Sequence, residues 1–402
     1  MNAGLKQSAI AKIDLLRDEL SRISAVIHAN PEIAFQEFNA CARLCDTLTR
    51  AGFQVTRGIG GLQTAFRAEA HGSGEGATIA ILAEYDALPE LGHACGHNIM
   101  AAAALGAARA VKGVLDQLPG RVVVIGTPAE EGGGGKVILV EKGIFNDVDA
   151  AMIVHPAGRT LAVRGSLAST RLFLEFGGRA SHAAAAPEDG INALEAVILT
   201  FNNVNALRLH LRSDARVHGI ITHGGTAANI IPDFAAAQFS VRAAKQGYAQ
   251  QVLRRVIQCA ESGAAATGAT VKYSTNPSYA ELIPNLTLAR QFTENWESIG
   301  VRVDEPRPQE HGGSTDMGNV SHVVPAIHPY IKIASDGVGG HTPEFREAAL
   351  SAEGKAGLIY AAKGMALTTI DLLSDPALMA RVKEEFVETV QKQQVERLGK
   401  FE

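Results

Sequence analysis

Three short, uninterrupted apolar runs, Thr78 to Leu82, Arg121 to Ile125 and Ala151 to Val154, each lead straight into side chains that bind cations. Glu84 and Asp86 follow the first run, Glu130 and Glu131 the second, and His155 the third. Helix-length stretches separate the runs, which is the pattern of strands buried on both faces of a mostly parallel sheet. In open α/β sheets ligands bind beyond the carboxyl ends of the strands, so these three sets of donors are expected to converge.

The remainder of the chain is arranged around that sheet. Apolar residues at three- and four-residue spacing from Ile10 to Ile27 predict an amphipathic helix that ends before Pro31. A second helix is predicted from Gln36 to Ala51, stopped by Gly52. Near Arg164 the texture changes. Residues 165–277 read as an inserted domain in the order strand, helix, strand, strand, helix, strand, with Arg171 to Phe176 alternating polar and apolar as a half-buried strand does. Residues 278–402 return to the first pattern, with a helix near Leu286 to Ile299, a strand from Pro329 to Ile333 and a charged, solvated stretch from Lys383 to Lys400. The expectation is thus a two-domain α/β protein: 1–164 and 278–402 form one domain, and 165–277 form a small two-layer sandwich with an antiparallel sheet.

The chemistry concentrates in the loop Leu91 to Asn98. Cys95 and His97 are separated by Gly96, which permits the bend needed to turn both side chains to one point. A lone His or Cys is more often a packed residue, as Cys41 and Cys45, four apart on one helical face, are expected to be. Further donors change the balance: Glu131 and His155 at strand ends, His341 in the turn Gly339 to Phe345, and Glu84 nearby as an additional candidate ligand. Mixed sulfur, nitrogen and oxygen donors suit zinc, with manganese, cobalt or nickel as alternatives. The set exceeds what one tetrahedral ion needs, which favours two neighbouring ions sharing a water. If Glu131 holds metal, Glu130 is left to take a proton from that water. Gly132 to Lys136 is not a phosphate loop, because Val137 stands where Ser or Thr is required and the glycine spacing differs.

A net charge of -5 argues against nucleic acid and for a small-molecule substrate. The four cysteines are too few and too scattered for a disulfide framework. The opening residues lack an apolar secretory core, and Arg109 and Lys112 interrupt the alanine-rich run too soon for a membrane span, so a reducing cytoplasm is the expected location.

Four segments in order, His93 to Asn98, Thr127 to Gly133, Gly178 to Ala184 and Gly340 to Pro343, resemble the M20 metallopeptidase and amidohydrolase family over nearly the whole chain. Glu84 to Pro89, running into the Cys-Gly-His loop, is most similar to the branch holding aminobenzoyl-glutamate hydrolase subunits and dipeptidases for β-alanyl and basic dipeptides, the Xaa-Arg dipeptidase-like enzymes. The resemblance implies a two-metal catalytic domain interrupted by a ferredoxin-like lid that also forms a homodimer. It implies Cys95, His97, Glu131, His155 and His341 as ligands and Glu130 as general base. Asp86 would orient a metal-bound histidine, and His182 would hold the substrate carbonyl oxygen in a neighbouring subunit's site. Asn229 and Arg242 would bind substrate, each with a plain local alternative as a turn cap or a surface strand residue, and Asp316 is as consistent with a turn as with a contact. Asn98 stands where close relatives often have Asp.

The expected activity is metal-dependent hydrolysis of an amide bond in an N-acyl amino acid, an aminobenzoyl-glutamate-like compound or a dipeptide. An aminohydrolase releasing ammonia from a small amine is the rival reaction. A metal- or peptide-binding protein without catalysis, and a redox protein acting through Cys95, are the rivals from other classes.

Overall fold

The computed structural model describes residues 2–307 and 313–398, and the chain falls into two compact units. Unit 1 comprises Met1–Gly165, Leu282–Gly312 and Asp316–Glu402; unit 2 comprises Ser166–Glu281 and Gly313–Thr315. Residues 308–312 and the end of the charged C-terminal stretch, 399–402, lie outside the described residues.

Unit 1 opens with helices α1 (Asn2–Ala29) and α2 (Phe38–Arg50), then the strands β1 (Gln54–Arg57) and β2 (Phe66–His71). Next come β3 (Thr78–Ala83), α3 (His97–Lys112), β4 (Arg121–Gly126), α4 (Gly135–Glu141), β5 (Ala150–Met152) and β6 (His155–Ala157). Unit 2 follows with β7 (Ala168–Gly177), α5 (Ala193–Arg208), β8 (Arg216–His223), β9 (Phe234–Ala243), α6 (Gln246–Thr267) and β10 (Thr270–Thr275). The chain then returns to unit 1 as α7 (Leu286–Ser298), α8 (Met317–Ser321), β11 (Ala326–Ile327), β12 (Tyr330–Lys332), α9 (Pro343–Ala348), α10 (Ala352–Ser374) and α11 (Pro376–Leu398).

The main sheet has the order β1-β2-β4-β3-β5-β11. Strands β4, β3, β5 and β11 run parallel, and β1 and β2 add an antiparallel edge. The central strands are apolar throughout because both faces are covered: Ile79 and Ile81 join the core beneath α1, α3 and α10, while Ala80 and Leu82 join a second core with Leu139 of α4 and Val320 of α8. Small residues let the helices approach closely. A Cβ on Gly106 of α3 would stand 2.7 Å from Leu20 Cδ1 and 3.2 Å from Ala362 Cβ.

The structure corrects one expectation here and sharpens another. Ala151 to Val154 is not one strand: β5 ends at Met152, and His155 begins β6. The strand expected from Pro329 to Ile333 is present as the shorter β12, which pairs with β6 in a separate two-stranded ladder, with Tyr330 opposite His155.

Unit 2 has a four-stranded antiparallel sheet, β10-β7-β9-β8, with two helices on one face. Leu172, Leu174 and Phe176 of β7 alternate inward toward α5 and α6.

Candidate metal centre

Beyond the carboxyl end of β3 the chain turns through Glu84, Tyr85 and Asp86, all buried. Asp86 faces two ways. Its Oδ1 lies 3.1 Å from His97 Nδ1, and its Oδ2 accepts the Glu131 N–H at 2.8 Å. One carboxylate therefore joins the loop after β3, the start of α3 and the loop after β4. Burial pushes the Asp86 carboxyl up, but the His97 ring and the Glu131 N–H outweigh it and hold the group below its ordinary value.

His97 opens α3 behind Gly96, whose φ of 81° supplies the bend; a Cβ there would also meet Pro156 Cγ at 2.8 Å. The His97 Nδ1 donates to the Asp86 carbonyl oxygen at 2.9 Å; burial lowers the ring's proton affinity, but Asp86 outweighs it and raises that affinity well above the ordinary histidine value, so a metal ion would take the place of the Nε2 proton. Nε2 is buried without a hydrogen-bond partner. His155 repeats the arrangement: its Nδ1 donates to the Pro156 carbonyl at 2.6 Å and leaves Nε2 3.5 Å from Cys95 Sγ. His341, at a positive φ of 65°, is tied to the Cys95 loop through its N–H to Ala94 O at 2.9 Å. Its Nε2 lies 3.5 Å from Cys95 Sγ and 3.1 Å from Glu131 Oε1.

These atoms form three overlapping groups with ligand atoms within 4.8 Å of one another: Cys95, His97 and His155; Cys95, Glu131 and His341; and His97, Glu130 and Glu131. Cys95 belongs to the first two. Two histidines whose Nδ1 protons are committed to oxygen acceptors, presenting Nε2 toward a thiol, are the arrangement a divalent cation requires, and the orphaned His97 Nε2 fits the same demand. Charge points the same way. Glu84, Asp86, Glu130, Glu131 and Asp316 are buried or nearly so, and the Lys136 ammonium lies against two of them, Glu84 and Asp316. The residues present therefore fit divalent metal.

The neighbours Glu130 and Glu131 are driven apart. Burial, with Glu131 and Glu84 close by, raises Glu130 well above the ordinary carboxylate range. Glu131 is also pushed up by burial, but its bond to His341 and the nearby His97 bring it below its usual value. Burial lifts the Cys95 thiol, and a cation bound to sulfur reverses that. Burial, reinforced by His97, lowers His155 to about 4, so its ring is neutral and able to coordinate.

Lys136 and His328 were not legible as site residues. Lys136, in the glycine run that does not make a phosphate loop, is fully buried, with Nζ 2.5 Å from Glu84 Oε1 and 2.7 Å from Asp316 Oδ1. Asp316 is accordingly a buried ion-pair partner of Lys136 rather than a turn residue, and its Oδ2 also accepts the Lys136 N–H at 2.9 Å. Glu84 spends one oxygen on Lys136 and places the other 3.4 Å from His97 Nε2, outside the three donor groups. His328, just past β11, stands 5.5 Å ring to ring from His155, buried and with neither nitrogen hydrogen-bonded. Its signal, a donor after an apolar strand, is the one used for His155. Asn98, next to His97, donates to Ser24 Oγ at 2.8 Å.

In unit 2, His182 and Asn229 meet. His182 bridges to Ile230, and the Ala183 N–H donates to Asn229 O at 3.0 Å. Both side chains are exposed. Arg242 lies on β9 between Ser169 and Arg216, and burial together with Arg171 lowers its pKa.

The fold and donor set are those of a metal-dependent hydrolase, and Peptidase family M20/M25/M40 matches residues 80–357. The chain belongs to that family, and its relatives support amide or peptide hydrolysis. It is 38% identical to the Xaa-Arg dipeptidase of Mus musculus, over 97% of this chain and 94% of that one. It is 31% identical to a p-aminobenzoyl-glutamate hydrolase polypeptide of Escherichia coli (strain K12), over 93% of each. A Bacillus subtilis crystal structure described as a dinuclear metal-binding peptidase from the M20 family superposes with a TM-score of 0.68 at 23% identity, over 90% of this chain and 99% of that one.

Proposed function

We propose that the protein hydrolyses the amide bond of a dipeptide, an N-acyl amino acid or an aminobenzoyl-glutamate-like compound, with two divalent ions held by Cys95, His97, Glu131, His155 and His341. The observation that carries this reading is the position of Cys95 Sγ, 3.5 Å from Nε2 of both His155 and His341, where a thiolate would be within reach of an ion in either donor group. Zinc suits the donors best, with manganese, cobalt and nickel as alternatives. When bound, the ions polarise the scissile carbonyl and acidify the attacking water.

The chain's own residues do the rest. Glu130 takes the proton of the attacking water on a carboxylate oxygen and returns it to the departing amine nitrogen. Asp86 holds His97 by Nδ1 and Glu131 by its N–H, so two ligands keep their aim during turnover. By resemblance to the family, His182 of a second copy hydrogen-bonds the carbonyl oxygen, and Asn229 and Arg242 receive the substrate's carboxylate. Unit 2 then serves as lid and dimerisation domain. The edge position of β8, with Ile220 62% and Ile221 45% exposed, supports a homodimer formed there. The four free cysteines are compatible with a reducing cytoplasm.

Three experiments test this. Metal-stripped protein is loaded separately with zinc, manganese or cobalt and offered dipeptides, acyl-amino acids and aminobenzoyl-glutamate; amine release is expected with at least one ion, and no hydrolysis with any would overturn the assignment. Prepared the same way, Cys95→Ser should hold fewer ions after dialysis, whereas two tightly held ions would show that sulfur is not the bridge. Light scattering on the intact protein should give a dimer that Ile220→Asp shifts toward monomer, and a monomeric wild type would remove the dimer from the proposal.

A further inference from the structure

Among the described residues, positive φ outside glycine occurs at Phe35 (63°), Glu90 (62°), Ala129 (60°) and His341 (65°). Two of these four, Phe35 and Ala129, are far apart in sequence yet are held by one side chain. Glu37 Oε1 accepts the Phe35 N–H at 3.0 Å and the Ala129 N–H at 2.9 Å, while Oε2 accepts the Thr64 hydroxyl at 2.8 Å. Glu37 is fully buried.

Glu37 is the N-cap position of α2, but its side chain makes no cap bond. The cap is supplied instead by Glu32, whose carboxylate accepts the N–H groups of Asn39 and Ala40, each at 2.9 Å. Glu37 is thereby released for a different task. Ala129 immediately precedes Glu130 and Glu131, and its own carbonyl accepts the N–H groups of Gly133 and Gly134 in the tight turn that follows. A left-handed conformation is unfavourable for alanine, so something must hold it. The Phe35 ring closes over the same turn: a Cβ on Gly133 would lie 2.8 Å from Phe35 Cε2.

We propose that Glu37 is a positioning residue of the metal centre, a buried clasp that fastens the left-handed residues Phe35 and Ala129 to each other and so sets where Glu130 and Glu131 stand. The proposal rests on the reading of Glu130 as base and Glu131 as ligand. The clasp works through hydrogen-bond acceptance rather than charge. Burial, partly offset by the bonds it accepts, lifts the Glu37 carboxyl to about 7. A glutamine carbonyl oxygen accepts the same two N–H groups, and its amide donates to Thr64 Oγ1.

The test compares Glu37→Gln, Glu37→Ala and Glu37→Asp in the full-length, metal-loaded protein. Glu37→Gln should keep kcat and bound metal close to wild type. Glu37→Ala should lower kcat about tenfold or more with KM little changed, and weaken retention of an ion in dialysis against chelator by a similar factor. If Glu37→Ala does not fold, Glu37→Asp, one methylene too short to span both turns, replaces it with the same expectation. Wild-type kcat and metal retention in the Ala or Asp variant would overturn the proposal and leave Glu37 a core hydrogen-bonding group. A Gln variant as impaired as the Ala variant would also overturn it, by showing that charge is what matters. If the wild type hydrolyses no substrate, the functional reading fails, while the chelator readout still decides the clasp.

Discussion

Glu130→Ala should lower kcat by about 10²–10⁴-fold while the protein keeps its full complement of metal. The two halves of that expectation come from different residues. Retention follows from the other donors: Cys95 with His97 and His155 on one side, and Cys95 with Glu131 and His341 on the other, remain complete without Glu130. Loss of turnover follows because Glu130 is the carboxylate of the pair whose surroundings raise its proton affinity, while its neighbour is pulled the opposite way by His341 and His97. A pair split in this manner divides the labour between a proton carrier and an ion holder. Metal analysis and steady-state kinetics on the same preparation check both halves. Near-normal turnover would sink the assignment of the base, and loss of metal would make Glu130 a ligand.

The second large effect is on stability. Lys136→Ala should cost about 3–5 kcal/mol, because it leaves the carboxylates of Glu84 and Asp316 buried with no ammonium between them. The pairing, set against the cost of burying a charge, raises the Lys136 pKa, so the cation persists across the working range. Trp296, the chain's single tryptophan, is buried in unit 1, and its fluorescence in urea reports on the unit that carries the triad. Combining Lys136→Ala with Asp316→Asn should recover part of the loss, since one of the stranded charges is then removed. A single variant as stable as wild type would mean that water reaches these carboxylates.

What the sequence revealed and what it concealed divide along physical lines. The central strands were legible because a strand buried on both faces has no polar alternation to blur it, and β3 and β4 appear within a residue of their expected ends. The edge strand β1 was not, since its four residues are mostly exposed and read as loop. Helix α10 was missed for the opposite reason: it is buried almost all round, so no amphipathic period marks it. Donors such as His155 announce themselves by standing directly after an apolar run. Lys136 and Asp316 do not, because a charge in a glycine-rich or turn-like segment reads as solvated, and only packing shows that each is there for the other. Glu37 was hidden likewise, its partners lying at Thr64 and Ala129.

The division into units also sets an order of assembly. Unit 2 is, apart from Gly313–Thr315, one continuous stretch of chain, whereas unit 1 needs α10 to pack against α1 and α3 and needs β11 to finish the sheet. During synthesis the inserted unit can close while its host is still waiting for the chain from Leu282 onward. Cys95, His97, Glu131 and His155 all leave the ribosome before the insert, and His341 after it. The proposed ligand set is therefore split by the insert, and a growing chain completes it only once the turn Gly339 to Phe345 has been made.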